Sequence, residues 1–74
     1  MLPKNLSGHD VIKTLSKITF KAKRQKGSHV ILIKETAEGK IGCVVPLHKE
    51  LKIGTLKGIL KQAKVSEEEF LKLL

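Results

Sequence analysis

Seventy-four residues with fifteen Lys+Arg against seven Asp+Glu carry a formal charge of +8, which bounds the chain to one small domain with a surface drawn to polyanions. The lone cysteine, Cys43, excludes an internal disulfide and suits a reducing compartment, and no apolar stretch approaches the ~18 residues of a membrane span. With no Trp, no Tyr and two Phe, the chain lacks the exposed rings on which single-strand readers stack bases.

Residues 1–6, MLPKNL, read as a lead-in that Pro3 keeps from being helical. Polar residues after Lys4 make no secretory leader, so a cytoplasmic protein is expected. A helix is predicted over Ser7–Ile18. Ser7 and Asp10 form an S-x-x-D capping signature; Val11, Ile12, Leu15 and Ile18 share one face, and Lys13 and Lys17 the other. The period then changes to two. In TFKAKRQ, Phe20 and Ala22 point one way and Lys21 and Lys23 the other, predicting a strand with one packed and one cationic face. Lys26-Gly27 is the expected turn, and Gly27 the residue suited to a positive φ and to close approach of a phosphate. SHVILIK is the second strand, its unbroken apolar run suggesting a central position. A turn at Glu38-Gly39 leads to the third strand, IGCVVP, in which Cys43 alternates with Ile41 and Val45 as core and Pro46 ends the pairing. LHKELKI is a linker. TLKGILKQAK is a second helix, burying Leu56, Ile59, Leu60 and Ala63 and exposing Lys57, Lys61 and Lys64. Ser66 and Glu69 make another capping box, starting a last helix with Phe70, Leu71, Leu73 and Leu74.

The order α-β-β-β-α-α predicts an α+β domain over residues 1–74: a three-stranded antiparallel sheet with helices on one face, the double-stranded-RNA-binding type. The charge is concentrated early. Residues 1–34 hold eight cations and one acid, Asp10. A bound polyanion and a merely solvated lysine surface both account for that, and nucleic acid bound through backbone and shape is the partner compatible with so few aromatics.

The chemistry available is narrow. His9, His29, His48 and Cys43 lack metal-ligand spacing, so no metal and no cofactor is expected. The acids are scattered except for Glu67-Glu68-Glu69, which suits the first turn of the final helix. No phosphate-binding glycine loop is present. Imidazole among lysines suffices for one reaction. RNA carries its own nucleophile, the 2′-OH, and its cleavage needs a proton moved and charge stabilised on the phosphorane-like transition state. An imidazole titrates near neutral pH and can move that proton. In RQKGSHVILI, residues 24–33, His29 stands where a basic turn becomes a strand. It reads either as a structural strand-start residue or as the acid/base beside Lys23, Arg24 and Lys26. DNA lacks the 2′-OH and is not expected as a substrate. Ser28 reads as a turn-capping hydroxyl, His9 as exposed filler, and His48 as a linker cap or a phosphate donor near the second helix.

SGHDVIKTL, FKAKRQKGSHVIL, VVPLHKEL and GTLKGILKQAKVSEEEFLKLL together resemble the HicA (YcfA-like) family of toxin ribonucleases, over nearly the whole chain. The resemblance implies a double-stranded-RNA-binding-like fold, metal-independent cleavage of mRNA, and a HicB-type antitoxin that masks the toxin. The histidine of the family's G-S-H element matches His29, its glycine and serine match Gly27 and Ser28, and its basic approach matches Arg24 and Lys26. Lys23, Lys57 and Lys61 complete the expected phosphate-binding set, with His48 as a secondary candidate. The chain departs from the family at Thr19, where members commonly carry Gly before the strand Phe, and at Lys64, where they often carry Gly between the last helices. The rival reading is a non-catalytic RNA-binding module of the same fold. A further one is an adaptor that binds a protein through its apolar sheet surface.

Overall fold

The computed structural model describes residues 2–74. Ser7 caps α1 (Gly8–Ser16): its hydroxyl accepts from the Asp10 amide at 3.0 Å, and the Asp10 carboxylate accepts from the Ser7 amide at 3.0 Å. The helix ends two residues before the predicted Ile18. Phe20 N–H donates to the Leu15 carbonyl and Thr19 N–H to that of Ser16, a Schellman closure with Thr19 left-handed at φ 73°. Thr19 is therefore a helix stop, not the start of a strand.

The sheet follows as β1 (Lys21–Lys26), β2 (His29–Thr36) and β3 (Gly39–Pro46), antiparallel in the order β1-β2-β3. Both turns lie one residue from where they were expected. Gly27-Ser28 joins β1 to β2 with Gly27 at φ 61°, and Ala37-Glu38 joins β2 to β3. β2 is central, as its composition predicted. Val30 and Leu32 of β2 and Cys43 and Val45 of β3 are buried beneath the helices, while Ile31, Ile33 and Val44 alternate onto the helix-free face.

β1 departs from expectation. All six residues are exposed, Ala22 included, so no face of this strand is packed. Phe20, 2% exposed, supplies the core contact just before it, and Lys34 lays its ammonium 5.7 Å from the Phe20 ring centroid.

α2 (Ile53–Ala63) packs against β3 through the predicted stripe Leu56, Ile59, Leu60 and Ala63, all buried. It closes like α1: Val65 N–H reaches the Leu60 carbonyl, Lys64 N–H that of Lys61, and Lys64 takes φ 58°. α3 (Glu67–Leu73) is capped by the Ser66 hydroxyl on the Glu69 amide at 3.0 Å; only that half of the expected capping box is formed. Lys17 Nζ reaches the Leu73 carbonyl at 2.6 Å, setting a cation at the negative end of α3. The lead-in is more than a tail, since Leu2 is buried and the Leu6 carbonyl accepts from Leu51 N–H at 2.7 Å. Phe20, Phe70, Leu15, Leu32, Leu56, Val11, Val45 and Cys43 form the fully enclosed centre of the one core.

Candidate functional site

His29 opens β2 at the tip of the first hairpin, exposed, paired with Lys26 on β1 and Pro46 on β3. The turn beside it is sparsely covered: a Cβ built at Gly27 would meet nothing within 4 Å. Gln25 Nε2 donates to the Gly27 carbonyl at 3.1 Å and braces the turn from inside the hairpin.

The register of β1 decides which cations share the imidazole's face. Lys21 is opposite Ile33 and Ala22 opposite Leu32, but then Arg24, not Lys23, is opposite Ile31. Lys23 is the extra residue of a β-bulge. In strict alternation Lys21 and Lys23 would share a face and Arg24 and Lys26 would lie on the other. The bulge resets the phase, so Lys21, Arg24 and Lys26 align with Ile33, Ile31 and His29 on the helix-free side. Among the described residues the only ion pair is Lys72–Glu68 at 3.5 Å, on α3. The cations around His29 therefore have no carboxylate partner among the described residues.

The histidines, far apart in sequence, gather at one end of the sheet. Leu47 N–H donates to the Ser28 carbonyl at 2.6 Å, carrying the β2–β3 pairing one step beyond Pro46. Gly8 N–H donates to the His48 carbonyl at 2.9 Å, tying the start of α1 to the same place. A Cβ at Gly8 would lie 2.1 Å from the Pro46 carbonyl oxygen, so only glycine allows this approach. His9, next along α1, lines a cleft of about 310 Å³ with Ile12, Leu47 and the β1 residues Lys23, Arg24 and Gln25. His9 is exposed, as expected, but it borders the basic strand. Nothing local in the sequence signalled this convergence; it follows from the α1–β3 contact that Gly8 permits. No group of three or more His, Cys, Asp or Glu stands close enough to hold a metal among the described residues.

The sequence matches the family described as the HicA toxin of bacterial toxin–antitoxin systems over residues 8–65. The chain belongs to the HicA toxin family. No curated protein matches it. A HicA toxin is one half of a toxin–antitoxin pair, and the family's members are generally endoribonucleases, so an antitoxin partner and an RNA substrate come with the assignment.

The remaining predicted residues of this HicA toxin are spread more widely. The Ser28 tie to the rest of the site is its carbonyl, taken by Leu47. Lys57 and Lys61 are exposed on α2. Lys64, at the end of that helix, lines a cleft with Thr36, Glu38, Gly39 and Lys40 around the second turn. That turn is at the far end of the sheet from His29, so Lys61, one turn before Lys64, lies toward the far end. Cys43 is no rival nucleophile: it is buried, and burial pushes its thiol up to about 11. No helix is long and apolar enough to cross a membrane among the described residues.

Proposed function

We propose that this HicA toxin is a metal-independent endoribonuclease that cuts mRNA in the cytoplasm, with His29 as the acid/base residue. The observation that carries the reading is the exposed imidazole at the hairpin tip, sharing one sheet face with Arg24 and Lys26, neither held by a carboxylate. His29 takes the proton of the ribose 2′-OH, which attacks the adjacent phosphorus. Arg24, Lys26 and the bulged Lys23 hold the phosphate and stabilise the charge that builds on it. Gly27 and Ser28 let the backbone approach, and Lys57 and Lys61 extend the positive surface along α2 for the rest of the strand. The products are a 2′,3′-cyclic phosphate and a 5′-OH. DNA, without the 2′-OH, is spared. A HicB-type antitoxin silences the toxin by covering this surface.

The test compares the unaltered protein with His29→Ala for RNA binding and for cleavage, with EDTA present. The expected result is unchanged binding and a cleavage rate lower by roughly 10²–10⁴-fold. Cleavage at the original rate by His29→Ala would remove the histidine from the mechanism. An unaltered protein that binds RNA but never cuts it would favour the non-catalytic RNA-binding module.

A further inference from the structure

We propose that His48 is the proton donor to the leaving oxygen, working opposite His29; this rests on the ribonuclease reading above. Cleavage through the 2′-OH moves two protons. The 2′-oxygen loses one as it attacks, and the 5′-oxygen gains one as it leaves. A single imidazole cannot do both in one passage through the transition state.

The end of the sheet that holds His29 offers few donors. Asp10 accepts from the Ser7 amide, and that bond, with the Ser7 hydroxyl, holds its carboxyl below the usual range. It is ionised at neutral pH and has no proton to give. Lysines as a class hold their protons too tightly to serve as efficient acids there. The remaining groups are His9 and His48.

The strand register chooses between them. Pro46 is the partner of His29, and the pairing continues through Leu47 N–H on the Ser28 carbonyl. An extended chain alternates its side chains. Leu47 is half-buried and packs against the core, which puts it on the helix side with Val30. Carried two residues past the end of β3 at Pro46, the same alternation assigns His48, like Pro46, to the opposite side, which is the side of His29. His48 is exposed, and its backbone is pinned by the Gly8 amide, so its ring hangs from a fixed point next to the Gly27-Ser28 turn.

The step balances. Neutral His29 takes the 2′-OH proton; O2′ bonds to phosphorus; the P–O5′ bond breaks; the His48 imidazolium gives its proton to O5′. A cyclic phosphate and a 5′-OH leave, and one proton exchanged through water restores both rings.

The experiment uses an RNA oligonucleotide whose cut linkage carries sulfur in place of the bridging 5′-oxygen. A thiolate, the base of an acid with pKa near 8.5, leaves without being protonated. His48→Ala is expected to cut ordinary RNA roughly 10²–10⁴-fold more slowly but the sulfur linkage within a few-fold of the unaltered toxin. His48→Gln should do the same, with thermal unfolding unchanged in both. His29→Ala should be slow on both linkages. An equal loss on both linkages in the His48 variants, or no loss on either, overturns the assignment. Failure of the unaltered toxin to cut either linkage overturns the ribonuclease reading and this inference with it.

Discussion

At Thr19 and Lys64 the backbone takes φ values of 73° and 58°, a region that costs an L-residue roughly 1–2 kcal/mol. Both residues sit at the turning point of a Schellman closure, anchored by buried neighbours: Phe20 over Leu15 in one, Val65 over Leu60 in the other. The helix ends there because those apolar contacts outweigh the local strain. Thr19→Gly and Lys64→Gly should each stabilise the protein by about 1 kcal/mol, a rise in Tm of about 4–8 °C for a domain of this size, checked by thermal unfolding. The β-branched Thr19 should gain more than Lys64. Asp10 makes a second prediction. Its capping bonds hold the carboxyl below the ordinary value of 3.8, so the folded state binds its proton later than the unfolded chain does. The stabilisation is whole above that ordinary value and is lost as pH falls through the lower folded one. The Tm difference between the protein and Asp10→Asn should persist at neutral pH and close in acid. Both capping residues were legible in the sequence, since Ser and Asp three apart before an apolar face have one common use. The strained Thr19 was legible only as a departure from a family pattern, because a positive φ at threonine is imposed by its packed neighbours.

Among the elements, β1 differs most from its sequence pattern. Alternation in TFKAKRQ pointed to one packed face and put Lys21 with Lys23. Strand pairing instead makes Lys23 the bulge, leaves the whole strand exposed, and turns Arg24 and Lys26 onto the side of His29. A bulge is a property of two strands meeting, and no single strand encodes it unambiguously. It follows that deleting Lys23, which leaves Lys21, Arg24 and Lys26 opposite Ile33, Ile31 and His29 in a regular ladder, should reduce RNA cleavage no more than Lys23→Ala does, while circular dichroism shows the sheet retained. The other edge is guarded differently. The Gln62 side-chain oxygen accepts from the Val44 amide at 3.1 Å, and Pro46 offers no amide, so the Val44–Pro46 end of β3 has no outward amide left for another strand to pair with. At the α1–β3 junction, Gly8→Ala drives a methyl into the Pro46 carbonyl. The expected cost is about 1–3 kcal/mol in chemical denaturation, as for other overpacked sites.

Across the whole molecule, charge and core have separate jobs. The cations facing outward beside His29 should make RNA affinity fall steeply with salt. Each phosphate contact on a single strand contributes about 0.7 to the slope of log K against log salt. Arg24→Ala should therefore lower the slope by about that amount without changing the helical signal. The core, in contrast, shields Cys43, whose thiol stays protonated up to about 11. Thiol-reactive reagents should label the native protein at neutral pH only as fast as it unfolds, and immediately in denaturant. By itself the sequence determined the order of elements, the helical stripes, the basic first half and the placing of His29 between a glycine turn and a buried strand. Each of these is a local pattern of residue types, readable from neighbours a few positions apart. Tertiary structure alone decided which cations face the imidazole and that His9 and His48 come to the same end. Those depend on a bulge in the β1–β2 register and on a backbone contact between Gly8 and His48, forty residues away along the chain, and pairing at that range is settled by packing.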